Sequence, residues 1–287
     1  IVDPMPNTVK VLNNFPNSEQ AYHMWYDGAL NISAITSKGI MNGVRTLLQA
    51  VSKEDNEFII PLLFIYDYPD IPLRGQWGGD SMDDIEFTSS LKLNSLDYTG
   101  SFDINSENIG TGYLEKKEVL ENCIKEGIVL TAYVPHLENV IGRYLNKPEY
   151  KKLIEKIKNV PLPESAQRND YKPGLCVSSE HTKKLVYEWM RELAQIKGVK
   201  SVMVWLSENT EACICEKCKD QEPFILETKM LVELFEKLKK EFPDIGCEIL
   251  LTQGSYSVNE KILEIVPEYI SVLYYHGSRT YISDKIP

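Results

Sequence analysis

Val202-Met203-Val204-Trp205-Leu206 is an unbroken apolar run, and it ends in Ser207-Glu208-Asn209. A carboxylic acid emerging from a buried strand stands out, because acidic side chains are rarely buried unless paired or put to use. At a strand end, Glu208 has the residue type and position of a general acid, and Asn209 beside it can support that work. Other segment ends supply His136 as a third catalytic candidate. They also supply Arg74, Asp80, Asp97, Tyr275 and His276 as groups that would grip a ligand. Carboxylates combined with aromatics and a cation suit cleavage of a glycosidic bond. One acid protonates the leaving oxygen while the other groups hold hydroxyls. The set contains neither a serine nucleophile elbow nor a histidine-rich metal triad.

Each candidate also has a plainer reading. Arg74 suits a locally paired structural arginine, Asp80 and Asp97 suit helix N-caps, and His136 suits a satisfied core or loop histidine. Tyr275, next to Tyr274, suits packing.

Cys213-Ile214-Cys215-Glu216-Lys217-Cys218 follows the same strand end. Three closely spaced thiols can hold one soft metal with a fourth ligand from elsewhere, Cys176 or a histidine. A disulfide, or reduced thiols without a ligand, are the other readings. A metal at Cys213, Cys215 and Cys218 is expected to be a structural zinc that fixes the loop beside Glu208. No cofactor is expected for catalysis.

The elements that must position these groups follow a rhythm that changes at Tyr68-Pro69-Asp70-Ile71-Pro72. Before it, 21–25, 30–35 and 58–65 read as strands and 39–51 as a helix, a small α+β domain over residues 1–72. After it, strands are expected at 73–78, 95–99, 128–134, 199–206, 247–252 and 269–275. Helices are expected at 81–93, 113–126, 182–197, 222–242 and 258–266 between them. Regular strand–helix alternation predicts a parallel sheet covered by helices. The reading adopted for residues 73–287 is a (β/α)8-type barrel with six strands in view, in which chemistry belongs at the C-terminal strand ends. An open doubly wound sheet is the alternative, but Gly75, Gly78 and Gly79 do not form a dinucleotide fingerprint.

Composition narrows the classes further. The 287 residues carry Lys+Arg 31 against Asp+Glu 42, a net charge of −11. An acidic surface repels phosphate backbones, so no nucleic-acid partner is expected. No apolar run reaches the ~20 residues of a membrane-spanning helix. The chain starts at Ile1, the mark of a processed or trimmed product. An extracellular or periplasmic location is expected.

Two signatures carry a resemblance. Gly39-Ile-Met-Asn-Gly43-Val-Arg-Thr46-Leu-Leu-Gln49 resembles the Gly-x-x-x-Gly-x-x-Thr-Leu-x-Gln pattern of the small domain that precedes the barrel in family 20 glycoside hydrolases, the β-N-acetylhexosaminidases. Ile65-Tyr-Asp67-Tyr-Pro69 followed by Leu73-Arg74-Gly75 resembles their Ile-x-Asp-x-Pro and Arg-Gly junction. The resemblance implies a glycosidase acting on a carbohydrate, with Glu208 at the general-acid position. The chain departs from the family pattern in three places. Asp80 sits one residue later than the acid of the Arg-Gly-x-x-x-Asp motif. Pro135-His136 lacks the glycine of Pro-Gly-His. Ser207 stands where the family has the aspartate that orients the substrate acetamide. The Cys-x-Cys-x-x-Cys segment is similar to one in a looser group of relatives of these enzymes and of α-glucuronidases. A carbohydrate-binding or scaffold protein on a degenerate barrel is the competing reading.

Overall fold

The computed structural model describes residues 6–76, 84–104, 110–160, 173–208 and 213–275. They form two compact units, Ile1–Leu96 with Glu121–Val129, and Asp97–Leu120 with Leu130–Pro287.

In the first unit, helix α1 (Pro6–Leu12) precedes strands β1 (Tyr22–Tyr26) and β2 (Leu30–Ala34), which pair antiparallel. Gly28, at φ 102°, makes the turn between them in a backbone region that side chains avoid. Helix α2 (Ser37–Ala50) starts at Thr36, whose hydroxyl accepts from the Lys38 and Gly39 amides. Strands β3 (Ser52–Glu54) and β4 (Glu57–Ile59) form a short hairpin, and β5 (Phe64–Asp67) pairs with β1 to complete the order β2-β1-β5. Helix α2 packs on this sheet through its two glycines. A methyl on Gly39 would run into the Ala21 carbonyl and Ala34, and one on Gly43 into Ile32 and the Tyr22 ring. The Gly-x-x-x-Gly spacing is therefore a close-approach device: the glycines lie four apart on one helix face. Thr46, on the same helix, lies 2.6 Å from the Tyr22 hydroxyl, which donates to Asp67 at 2.8 Å. Lys92 pairs with Asp67 at 2.9 Å.

The second half of the chain adds strand β6 (Gly75–Gln76), helix α3 (Ile85–Ser90), strands β7 (Ser95–Ile104) and β8 (Gly110–Leu114), helix α4 (Lys117–Glu126) and strand β9 (Val129–Val134). Helices α5 (Val140–Tyr144), α6 (Lys151–Ile157) and α7 (Glu180–Gln195) lead to strand β10 (Val199–Trp205). Helix α8 (Pro223–Glu241), strand β11 (Gly246–Leu251), helix α9 (Asn259–Ile265) and strand β12 (Ile270–Tyr274) follow. Strands β7, β9, β10, β11 and β12 lie side by side in sequence order, and β6 pairs parallel with the start of β7. The result is a mixed α/β architecture around a largely parallel sheet of six strands, wound in one direction. A doubly wound sheet would reverse its strand order, and no reversal occurs among the described strands.

One expected element is corrected. Residues 110–114 are strand β8, antiparallel to the outer half of β7, and the helix starts only at Lys117. Gly112 lets the strand approach α7 closely: a Cβ there would run into the Trp189 carbonyl and Leu193. Trp189 donates to the Gly100 carbonyl at 3.2 Å and stacks on Phe102 at 4.5 Å. This hairpin, clamped by α7, replaces the simple strand–helix step expected there.

Candidate active site at the end of strand β10

The peptide bearing Glu208 is held from four sides. The Leu206 amide donates to Leu250 O at 3.0 Å, which continues the sheet one residue past β10. His136 Nδ1 lies 2.6 Å from the Leu206 carbonyl. Thr252 donates from its hydroxyl to Ser207 O at 2.7 Å. The Ser207 amide and hydroxyl both donate to Glu227 Oε1, each at 3.2 Å. Gly254 backs the Glu208 carbonyl so closely that a Cβ there would collide with it. A group that must deliver a proton at a fixed point needs such a support.

His136 is brought to Glu208, with Nε2 lying 3.9 Å from Glu208 Oε1. Its Nδ1 donates to the Leu206 carbonyl, so Nε2 is the ring nitrogen that faces the acid. Glu208 keeps 30% of its side-chain surface exposed and His136 16%, so the pair sits at the edge of solvent. Trp205 forms the adjacent wall. It stacks on Tyr133 at 4.1 Å and 8°, and meets the His136 ring at 5.2 Å. Met203, Leu250 and Leu273 pack beneath these rings.

Glu227 is a site residue that the sequence reading missed. It lies on α8, is only 1% exposed, and burial pushes its carboxyl up to about 8, against the pull of the two Ser207 donors. A signal for it existed in the helical period. Phe224, Glu227, Leu231, Leu234 and Leu238 fall at steps of three or four, so the acid sits on the apolar stripe.

The other expected site residues go elsewhere. Arg74 precedes β6 rather than ending it, and its own carbonyl accepts from the Asn94 and Ser95 amides at the start of β7. Its guanidinium donates to Ile71 O at 2.6 Å, Gln20 Oε1 at 3.1 Å and Lys92 O at 2.7 Å. These contacts make it a tie within the first unit. Asp97 is not at a strand end, because β7 runs on to Ile104 through its pairing with β8. It is half-buried well inside the strand, where desolvation and the neighbouring Glu248 carboxyl raise it to about 6. Tyr275 follows β12, with its amide donating to Leu251 O at 3.0 Å and its carbonyl accepting from the Tyr256 hydroxyl at 3.0 Å. Asp80, Asn209 and His276 lie outside the described residues. Cys213, Cys215 and Cys218 are brought together, and Cys176 joins them.

The architecture has counterparts among solved glycoside hydrolases. No protein-family model and no curated protein matches the chain. Solved structures do. A chitobiase of Flavobacterium johnsoniae is similar at a TM-score of 0.63 and 17% identity, over 93% of this chain and 46% of that one. The N-acetyl-β-hexosaminidase of Streptomyces plicatus, solved with Thio-NAglucal, is similar at 0.61 and 16%, over 93% and 56%. The family 20 β-N-acetylhexosaminidase of Streptomyces coelicolor A3(2) is similar at 0.60 and 14%, over 93% and 57%. At such identities the likeness is one of fold, that of a divergent chain resembling the family 20 enzymes. The chain spans about half the length of the solved chains it matches. No helix among the described residues is long and apolar enough to cross a membrane.

Proposed function

We propose that this chain carries the acid-bearing part of a glycoside hydrolase and that Glu208 protonates the leaving oxygen. The observation that carries the reading is the Glu208–His136 pair, 3.9 Å apart, on a peptide anchored by Leu250, Thr252 and Glu227. The six strands in sequence order are the first six of a (β/α)8 barrel in this reading, with residues 1–72 as the preceding domain. Trp205, buried and stacked on Tyr133, supplies an apolar backing to the His136 ring. Tyr275, Asp80 and His276 remain sugar contacts in this proposal, and Asn209 remains a supporting group for the acid. The substrate class is a carbohydrate, including N-acetylhexosaminides, and the location is extracellular or periplasmic.

Ser207 shapes the mechanism. A serine carries no carboxylate to orient an acetamide, and this one's hydroxyl donates to Glu227. Assistance by a substrate acetamide would need a different orienting group.

The test is turnover of a panel of aryl glycosides by the wild type and Glu208→Gln. General acid catalysis is worth ~10²–10⁴-fold, and a loss of about that size is expected on substrates with poor leaving groups. A smaller loss is expected where the leaving group needs no proton. Unchanged turnover by Glu208→Gln on a cleaved substrate would remove the residue from the mechanism. Sugar binding with no turnover across the panel would favour the binding-protein reading.

A further inference from the structure

Four cysteines from two distant segments converge beside this site. Cys176 lies just before α7, and Cys213, Cys215 and Cys218 lie between β10 and α8. Their sulfur atoms all fall within 4.8 Å of one another. Cys176 Sγ is 3.8 Å from Cys215 Sγ and 3.9 Å from Cys218 Sγ. A tetrahedral zinc with Zn–S bonds of ~2.3 Å separates its sulfurs by about 3.8 Å. A disulfide would need ~2.05 Å and a two-electron oxidant. The spacing is that of ligands around a common centre.

The surroundings of the sulfurs point the same way. The Val160 amide donates to Cys213 Sγ at 3.2 Å. The Ser178 amide donates to Cys176, and the Lys217 amide to Cys215. The Ser178 hydroxyl lies 3.1 Å from Cys218 Sγ. Cys176, Cys213 and Cys215 each accept from a backbone amide, and the Cys218 thiol, which donates to the Ser178 hydroxyl, would accept from it as a thiolate, the outer shell that orients and stabilises ligating sulfurs. The supporting backbone is fixed as well. Cys176 N donates to Ile157 O at 2.7 Å, Ile214 N to Val160 O at 2.9 Å, and Cys218 N to Cys215 O at 2.9 Å. Cys176 and Cys218 are buried while Cys213 and Cys215 are partly so, which leaves a route for an ion to enter.

We propose that Cys176, Cys213, Cys215 and Cys218 bind one zinc ion in a closed, structural site. Four protein thiolates leave no position for water, so the ion does no chemistry on substrate. Its effect is mechanical. Helix α7 enters β10 from the N-terminal edge of the sheet, so its start, with Cys176, lies at the edge where Glu208 emerges. The metal would link the segment before α7 to the segment that follows Glu208. Cys176 closes the set from outside the three-thiol motif.

The test measures metal in chain purified without chelator, by elemental analysis, and titrates cobalt into metal-stripped protein. One zinc per chain is expected. Cobalt should give thiolate charge-transfer absorption with the intense visible bands of a tetrahedral S4 site, and zinc should displace it. X-ray absorption on the zinc-loaded wild type should count four sulfurs near ~2.3 Å. Cys176→Ser should lose the S4 signature, whereas Cys247→Ser, outside the cluster, should keep it. If Cys176→Ser fails to fold, the sulfur count on the wild type decides. Metal-free protein that does not take up zinc, a disulfide among the four, stoichiometric iron, or a count of three sulfurs would each overturn the assignment.

Discussion

Glu227 should make the stability of this protein fall as pH rises, and one isosteric change should remove most of that fall. In the folded chain its carboxyl titrates near 8 because it is fully buried, while its ordinary value is 4.5. Between those values the folded state keeps a proton that the unfolded state has released. Stability is therefore undiminished below about 4.5, is lost progressively as pH rises through the window, and is lowest above 8. The displacement corresponds to about 5 kcal/mol across the window, at roughly 1.4 kcal/mol per pKa unit. Glu227→Gln keeps an amide oxygen to accept from Ser207 N and Oγ but cannot ionise. Wild type and variant should therefore melt at similar temperatures at pH 5. By pH 9 they should separate by on the order of 10 °C, with the variant higher. Other groups titrate in both proteins and cancel in the difference. Thermal melts by circular dichroism at half-unit pH intervals measure it. Parallel pH profiles would show that Glu227 is not held neutral by burial. Glu227→Ala serves as a companion, since it strands the buried Ser207 amide at a cost of about 1–3 kcal/mol relative to Glu227→Gln at every pH.

Three further outcomes follow from particular contacts. Gly39→Ala should destabilise by about 1–3 kcal/mol in urea denaturation despite alanine's better helix propensity, because the added methyl meets the Ala21 carbonyl; a more stable variant refutes the close-approach reading. Asp97→Asn should flatten the stability profile between about pH 4 and 6, because burial beside Glu248 raises Asp97 to about 6 and its ionisation in that window costs stability; an unchanged profile counts against the pairing. Trp189→Ala should cost about 3–5 kcal/mol, since its ring is fully buried against Phe102 and Gly100, and a loss below 1 kcal/mol would mean the hairpin does not depend on it.

Periodic segments were the most legible part of the sequence. Helices α7 and α8 and strand β10 stand within about two residues of expectation, because their apolar stripes are long enough to fix both type and phase. Strand β8 was not legible: Gly110 to Leu114 runs directly into the apolar spacing of α4, and only tertiary contact with α7 selects the extended form. Arg74 was misplaced because β6 is two residues long and leaves no pattern that separates its start from its end. Glu208 and His136 could be put forward from the ends of buried runs, and the structure brings the two side chains to 3.9 Å. Glu227 was not, since glutamate is ordinary in helices and only its place on the apolar stripe sets it apart. The three-thiol motif was plain. Its partner Cys176 stood only as one of two candidates, because nothing local announces a residue that joins a cluster through space.

The β7–β8 hairpin also dictates an order of events during synthesis. Its outer surface, with Phe102 and Leu114, is covered by Trp189 and Leu193 of α7. That helix is made roughly 80 residues later, so at ordinary elongation speeds the hairpin waits about 4–16 s for its cover. During that interval a strand edge and buried-type side chains face the cytosol or the translocation machinery. The nascent chain is open to mispairing over that interval, and a holdase that retains it until Gln195 has emerged is expected to raise the yield of folded protein.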